Sequence, residues 1–387
     1  MVYFDNNATT PLDPVARAVW ITAADEAWAN PSSPYRASAR VRNLLEECRE
    51  RSASLIGCAT EEIVFNSGAT EANNAVFAYL AGCARPSQSV LISPVEHPSV
   101  LEAASHSFPD RVIFAEVDSE GVVDPESVRA LLRKHSPAAV SVMAANNETG
   151  VIQPFESLAT ICRERGVPYH CDAAQWPGKM PASRLSACDF LTGSAHKFGG
   201  PKGVGFLRVP AEINDFRGQL GGEQEGRRRA GTENYPAVAA MVAALADREA
   251  NGFDDMEERV ARRAHFEARL LEEVPGARIL AAGRERLWNT VSIVLPRHEN
   301  HRWVMKLDRE GFAVSTGSAC STGDGNPSHV LAAMGRSPAE ARRVVRVSAG
   351  RDTRDAEWNG LAKAFGNVWR RWDEKRSDSA LTEVVSI

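Results

Sequence analysis

Short apolar runs alternate along the chain with longer segments of helical period. β-branched and aromatic clusters sit at residues 63–65, 90–92, 112–117, 138–143, 167–170, 190–191 and 204–209. Between them, apolar positions recurring every three or four residues predict helices over about 70–81 and 155–165. Buried strands separated by helices are the pattern of a mostly parallel sheet covered by helices, so residues 13–252 are expected to form one large α/β domain. The longest uninterrupted apolar run, Ala237–Ala246, falls well short of the roughly 20 residues needed to cross a bilayer and predicts a buried helix. Beyond it the pattern changes. Charged helical sequence over 256–274 leads to strand-like 290–295, a helix near 304–310, strand-like 344–347 and a last helix over about 356–374. Residues 253–387, joined by 1–12, are expected to form a small α+β domain ending in a loose tail over 377–387.

Composition narrows the functions available. The 387 residues exceed one ordinary domain, and 43% hydrophobic with 25% charged residues suits a globular protein with a real core. Fifty acidic side chains against 45 basic ones leave a net charge of −5. That balance provides no cationic field for nucleic acid or an anionic membrane, and both partner classes are set aside. The opening Met1-Val-Tyr-Phe-Asp5 reads as neither an export nor a transit signal, so a cytoplasmic location is expected. Seven cysteines, Cys48, Cys58, Cys83, Cys162, Cys171, Cys188 and Cys320, are scattered without a C-x-x-C pair, which fits neither a disulfide framework nor a structural zinc site. No metal is expected.

In open parallel sheets ligands bind beyond the carboxyl ends of the strands, and four segments there carry unusual residues. Asn66-Ser-Gly-Ala-Thr-Glu71 opens a helix, where Gly68 permits a tight turn and the N–H groups of Ala69 and Thr70 can cradle a phosphate; the alternative is a plain helix capped by Ser67 or Thr70. His170-Cys-Asp-Ala-Ala-Gln175 places Asp172 where a carboxylate can hold a heterocyclic N–H, or cap a helix. Consecutive strand residues point to opposite faces, which disfavours reading this His/Cys/Asp trio as a metal site. Ser194-Ala-His-Lys-Phe-Gly-Gly200 sets Lys197 in a glycine-rich turn, either as a Schiff-base amine or as a surface lysine. Residues 315–327 hold Cys320 among serines, glycines and Pro327, the composition of a loop, and Cys320 is either the candidate nucleophile on that mobile loop or a fortuitous surface cysteine. The other six cysteines read as small core hydrophobes.

Taken together and in this order, the phosphate turn, the Asp with its Gln, Ser-x-His-Lys and the loop thiol resemble the pyridoxal phosphate enzymes of the aspartate aminotransferase fold type I, class V. Within them the chain resembles the cysteine desulfurases of the NifS/IscS type. The likeness runs from Tyr3-Phe-Asp-Asn-Asn-Ala-Thr-Thr-Pro11 through Asn30-Pro-Ser-Ser33, Glu96-His-Pro98, Asn146-Asn-Glu-Thr-Gly150 and Ala230-Gly-Thr-Glu-Asn234 to Arg346-Val-Ser-Ala-Gly-Arg351. It implies a large domain with a mostly parallel seven-stranded sheet and a small α+β domain. It also implies that Lys197 carries the cofactor as a Schiff base, Asp172 pairs with the pyridinium nitrogen and His97 stacks on the ring. Gln175 and Asn147 would address the ring hydroxyl and the substrate, while Ala69, Thr70, Ser194 and His196 hold the phosphate and Thr232 reaches it from the second subunit of a homodimer. Arg346 would bind the substrate α-carboxylate, and Lys197, Cys320 and His97 would be catalytic. The implied activity removes sulfur from L-cysteine and passes it through a Cys320 persulfide to a protein acceptor in iron–sulfur cluster assembly or thiolation. The same frame suits a selenocysteine lyase, and a scaffold retired from catalysis is the reading from another class. Where many relatives have a His and then a Gly after Asn-Pro-Ser-Ser, this chain reads Pro34-Tyr-Arg-Ala-Ser38.

Overall fold

The computed structural model describes residues 1–317 and 328–384, which divide into two compact units.

The larger unit comprises Thr9–Asn147 and Val151–Asp254. Its seven-stranded sheet has the order Ile63–Asn66, Gly205–Arg208, Phe190–Ser194, Tyr169–Asp172, Val140–Ser141, Val90–Ile92, Val112–Phe114. Gly205–Arg208 runs antiparallel to both neighbours and the remaining pairs are parallel, so the sheet is mostly parallel, as expected. The strands Ile63–Asn66, Val90–Ile92, Tyr169–Asp172 and Phe190–Ser194 are buried along their whole length, which is why they read as apolar runs rather than as an apolar–polar alternation. Val76, Phe77 and Leu80 of the helix Ala69–Cys83 and Val100, Ala103 and Ala104 of the helix Pro98–Ser107 join Ile92, Phe190 and Leu207 of the sheet in one core. The apolar run 237–246 lies inside the buried helix Tyr235–Asn251, started by Asn234, whose side chain accepts from Ala237 N. Residues 9–12, expected with the small domain, belong here because Thr10 N donates to His196 O and Asp13 N to Gly199 O, both at 2.8 Å.

The smaller unit comprises Met1–Ala8, Glu148–Gly150 and Asp255–Ile387. Val2–Tyr3 pairs in parallel with Phe312–Ala313, and Thr290–Val294 lies antiparallel between Val344–Ser348 and Arg278–Ile279. Helices Met256–Glu273, Asn300–Arg309 and Asp355–Val384 contribute to a core of Phe4, Phe266, Trp303, Trp358 and Phe365. Burying rings of this size contributes the largest apolar areas of any side chains, and Trp303 satisfies its indole N–H on Arg297 O at 2.9 Å. The final helix continues to Val384, through most of the stretch read from the sequence as a tail. Glu148–Gly150 joins this unit because Leu287 N donates to Gly150 O at 2.8 Å and Ser328 Oγ to Glu148 Oε2 at 2.6 Å.

Candidate active site

The phosphate turn is built from three features of the larger unit. Gly68, at φ 141°, is the N-cap of the helix Ala69–Cys83, and no side chain caps it. Ser67 and Thr70 therefore do not act as caps. Asn66 Oδ1 instead accepts from Gly68 N at 2.8 Å, and Glu71 Oε2 accepts from Ser67 N at 3.0 Å. The end of the neighbouring strand closes in from the side: a Cβ on Gly68 would stand 3.1 Å from Ser194 Oγ. Glycine at this position keeps a hollow at the positive end of the helix, beside a buried hydroxyl. Arg229 Nε donates to Glu71 Oε1 at 2.8 Å, tying the segment that leads to Thr232 onto the same turn; Thr232 itself is exposed.

Ser194 ends its strand, and the short 3₁₀ turn Ala195–Lys197 follows. Lys197 is half-buried there. His196 places Nδ1 3.1 Å from Thr9 Oγ1. Burial, reinforced by the charges of Lys197, Lys202 and Lys179, lowers its pKa to about 4, so at neutral pH His196 is an uncharged imidazole.

Asp172 ends the strand next to the one that leads to Lys197, paired with Thr192. Both its oxygens receive donors: Ala174 N gives to Oδ1 and Asn73 Nδ2 to Oδ2, each at 2.9 Å. That is the environment of a carboxylate at 5% exposure. The adjacent His170 serves the fold, with Nδ1 2.8 Å from Ser141 Oγ and its pKa lowered by burial to about 4, and burial pushes the Cys171 thiol well up. Three consecutive residues thus have separate surroundings. The Gln175 amide is oriented by a lysine that the sequence did not single out. Lys179 Nζ, on a residue 4% exposed, donates to Gln175 Oε1 at 3.0 Å; an ammonium only donates, so Oε1 must face it. Asn147 is half-buried at the end of this unit's first segment.

His97 is also half-buried. It caps the helix Pro98–Ser107 by accepting from Ser99 N, and it lies within a chain of side chains formed by Ser99, Asn73 and Thr192. None of these three stands out in the sequence, because each is a small polar residue in an otherwise ordinary helix or strand pattern. Arg346 belongs to the smaller unit, 2% exposed on the strand Val344–Ser348. Cys320 lies outside the described residues.

The family model for class-V aminotransferases matches residues 2–359. The chain belongs to that family. This class-V member is 38% identical to a cysteine desulfurase of Enterobacter agglomerans over 92% of its own length and 89% of the relative's. Among solved structures it matches a NifS-like protein with a TM-score of 0.85 at 30% identity, covering 95% of this chain and 98% of the other. It also matches SspA in complex with cysteine, at 0.77 and 28% identity, covering 90% and 98%. Class-V enzymes use pyridoxal phosphate, and this chain's residues fit that group. A Cβ-free hollow at a helix N-terminus suits the phosphate, a buried carboxylate at the end of a strand suits a ring N–H, and a half-buried lysine lies in the turn that follows the neighbouring strand.

Proposed function

We propose that this class-V member is a cysteine desulfurase, converting L-cysteine to L-alanine and holding the removed sulfur as a persulfide on Cys320. The observation that carries the reading is Asp172, a buried carboxylate on the strand beside the one that leads to Lys197, in a chain similar over nearly its whole length to a cysteine desulfurase. Pyridoxal phosphate, when bound, supplies a sink for electrons released at the substrate α-carbon.

The chain's own residues do the rest. Lys197 Nζ anchors the cofactor and then takes the α-proton, while Asp172 holds the ring N–H charged and Gln175 Nε2 donates to the ring oxygen. Ala69 and Thr70 N–H, with Ser194 and His196, carry the phosphate, and Thr232 serves the second copy in a homodimer. Asn147 addresses the substrate. Arg346 receives its α-carboxylate, a planar fork being the matching partner for that group. His97 packs on the ring. The Cys320 thiolate attacks the substrate sulfur: an S–S bond forms, the carbon–sulfur bond breaks, and its electron pair stays on carbon, which is protonated to give alanine. Cys48, Cys58 and Cys162 are poor substitutes, since burial raises the pKa of the first two to about 11 and of Cys162 to about 12.

The persulfide then passes to a protein acceptor in iron–sulfur assembly or thiolation. A reducing cytoplasm is in keeping with free thiols at all six described cysteines. Of these, Cys83 is exposed and Cys48 and Cys58 are half-buried, so the expectation of six core cysteines holds only for Cys162, Cys171 and Cys188.

The test is alanine and sulfide formation from L-cysteine with a thiol reductant, comparing the cofactor-loaded protein with its Cys320→Ser variant. Turnover lost in the variant is the expected result. Equal turnover in both removes Cys320 from the reaction, and alanine released from selenocysteine alone identifies a selenocysteine lyase.

A further inference from the structure

The direction of hydrogen bonding around His97 can be followed group by group, starting from the acid. Asp172 Oδ2 can only accept, so Asn73 must present its amide nitrogen there, at 2.9 Å. The opposite end of that amide agrees: Thr192 Oγ1 donates to Asn73 Oδ1 at 2.8 Å. With the amide fixed, its second N–H points at Ser99 Oγ, 2.9 Å away. Ser99 Oγ is thereby an acceptor toward Asn73, and its single proton is left for its other close neighbour, His97 Nδ1, at 2.8 Å. The backbone N–H of Ser99 aims at the same nitrogen from 3.1 Å. Two donors converge on Nδ1, and a nitrogen that accepts carries no proton. Asn73 is fully buried and Ser99 nearly so, so water does not readily replace either partner.

We propose that Asn73 and Ser99 are positioning residues that hold His97 as a neutral imidazole with its proton on Nε2. Placing a proton on Nδ1 would turn a donor against the Ser99 N–H, undo the cap of the helix Pro98–Ser107 and leave the Ser99 hydroxyl proton to find another acceptor. His97 therefore offers its environment a hydrogen-bond donor at Nε2 and does not collect a proton there. In the reaction proposed above this assigns proton removal to Lys197 and leaves His97 to pack on the ring and donate. That consequence rests on the desulfurase reading, whereas the tautomer rests on the hydrogen bonds alone.

The experiment is nitrogen NMR of the cofactor-loaded protein labelled with ¹⁵N-histidine, with His97→Gln used to assign the His97 signals. The expected result at neutral pH is a pyridine-like Nδ1 and a pyrrole-like Nε2. Ser99→Ala and Asn73→Leu each remove one directing donor and are expected to move the Nδ1 signal toward the pyrrole-like position, whereas Ser99→Thr, which keeps the hydroxyl, is expected to restore the original pattern. The remaining histidine signals report whether each variant is folded. A pyrrole-like Nδ1 or an imidazolium in the unaltered protein overturns the proposal, as does an unchanged Nδ1 signal in folded Ser99→Ala and Asn73→Leu. The readout needs no turnover, so a failed desulfurase assay and a failed tautomer assignment are separate results.

Discussion

Arg346 and Asp5 are locked together inside the smaller unit, Nη2 to Oδ1 at 2.6 Å, with the Arg346 side chain 2% exposed. The other terminal nitrogen, Nη1, donates to Gly317 O at 3.1 Å. These two bonds hold the guanidinium of Arg346 in one orientation.

If Arg346 receives the substrate carboxylate, Arg346→Lys keeps the charge and loses the fork. The expected outcome is a KM for L-cysteine raised roughly ten- to a hundredfold with a smaller change in kcat, taking about 1.5–3 kcal/mol for a hydrogen bond to a charged group. Steady-state alanine release measures it. A kcat loss with unchanged KM would instead place Arg346 outside ground-state binding.

Gly68→Ala inserts a methyl 3.1 Å from Ser194 Oγ at a φ of 141°, where side chains are strained. Stability is expected to fall by about 1–3 kcal/mol, and the protein should retain less cofactor on dialysis because the phosphate hollow is filled. Cofactor absorbance after dialysis, together with urea unfolding, reads both effects. Full retention would mean the phosphate does not use this turn.

His170 has its pKa lowered by burial from 6.5 to about 4. The unfolded chain therefore binds a proton that the folded one refuses, and this stabilisation, full above the unfolded pKa, is lost as pH falls from about 6.5 toward 4. Its size is roughly 3 kcal/mol. His170→Gln removes the titration, so the stability gap between the unaltered protein and the variant should narrow across that window in denaturant unfolding at stepped pH. A gap independent of pH would show that His170 titrates normally in the fold.

Ser328 Oγ donates to the buried Glu148 at 2.6 Å and accepts from Leu331 N at 3.2 Å as the cap of the helix His329–Ala333. Ser328→Ala removes both bonds. Cap loss alone costs about 1 kcal/mol, and a buried carboxylate deprived of a donor adds about 1–3 kcal/mol. A lower thermal midpoint of the full chain is expected; an unchanged midpoint would count against this bond.

What could be read from the sequence follows from how each feature is encoded. Strands buried along their whole length are legible because burial on both faces leaves unbroken runs such as residues 63–65 and 90–92. The helices Pro14–Glu26, Arg36–Ile56, Pro98–Ser107 and Pro125–His135 lie outside the helices expected from the sequence, although Pro98 after His97 and Pro125 after Asp124 are helix-start signals. Residues 138–143 look like one strand, and backbone bonds to its neighbours run from Ala138 to Val142, with regular pairing over Val140–Ser141. Lys197 and Asp172 drew attention through their turns and strand ends. Asn73, Ser99 and Lys179 did not, because a polar side chain that orients another is defined by tertiary distance, and no local spacing records it.

The smaller unit has a consequence for the order in which the protein is made. Asn6 donates to Ser348 O across a sequence separation of 342, and Val2 pairs with Phe312. Contacts of such separation form late, because the intervening chain must be delivered and its loop-closure entropy overcome first. On the ribosome, Asp5 waits through most of translation for the arginine it is to hold, while the parallel sheet, complete by Arg208, can already assemble. Synthesis thus supplies every strand of the larger unit's sheet before it supplies the strand Val344–Ser348 that Asp5 meets.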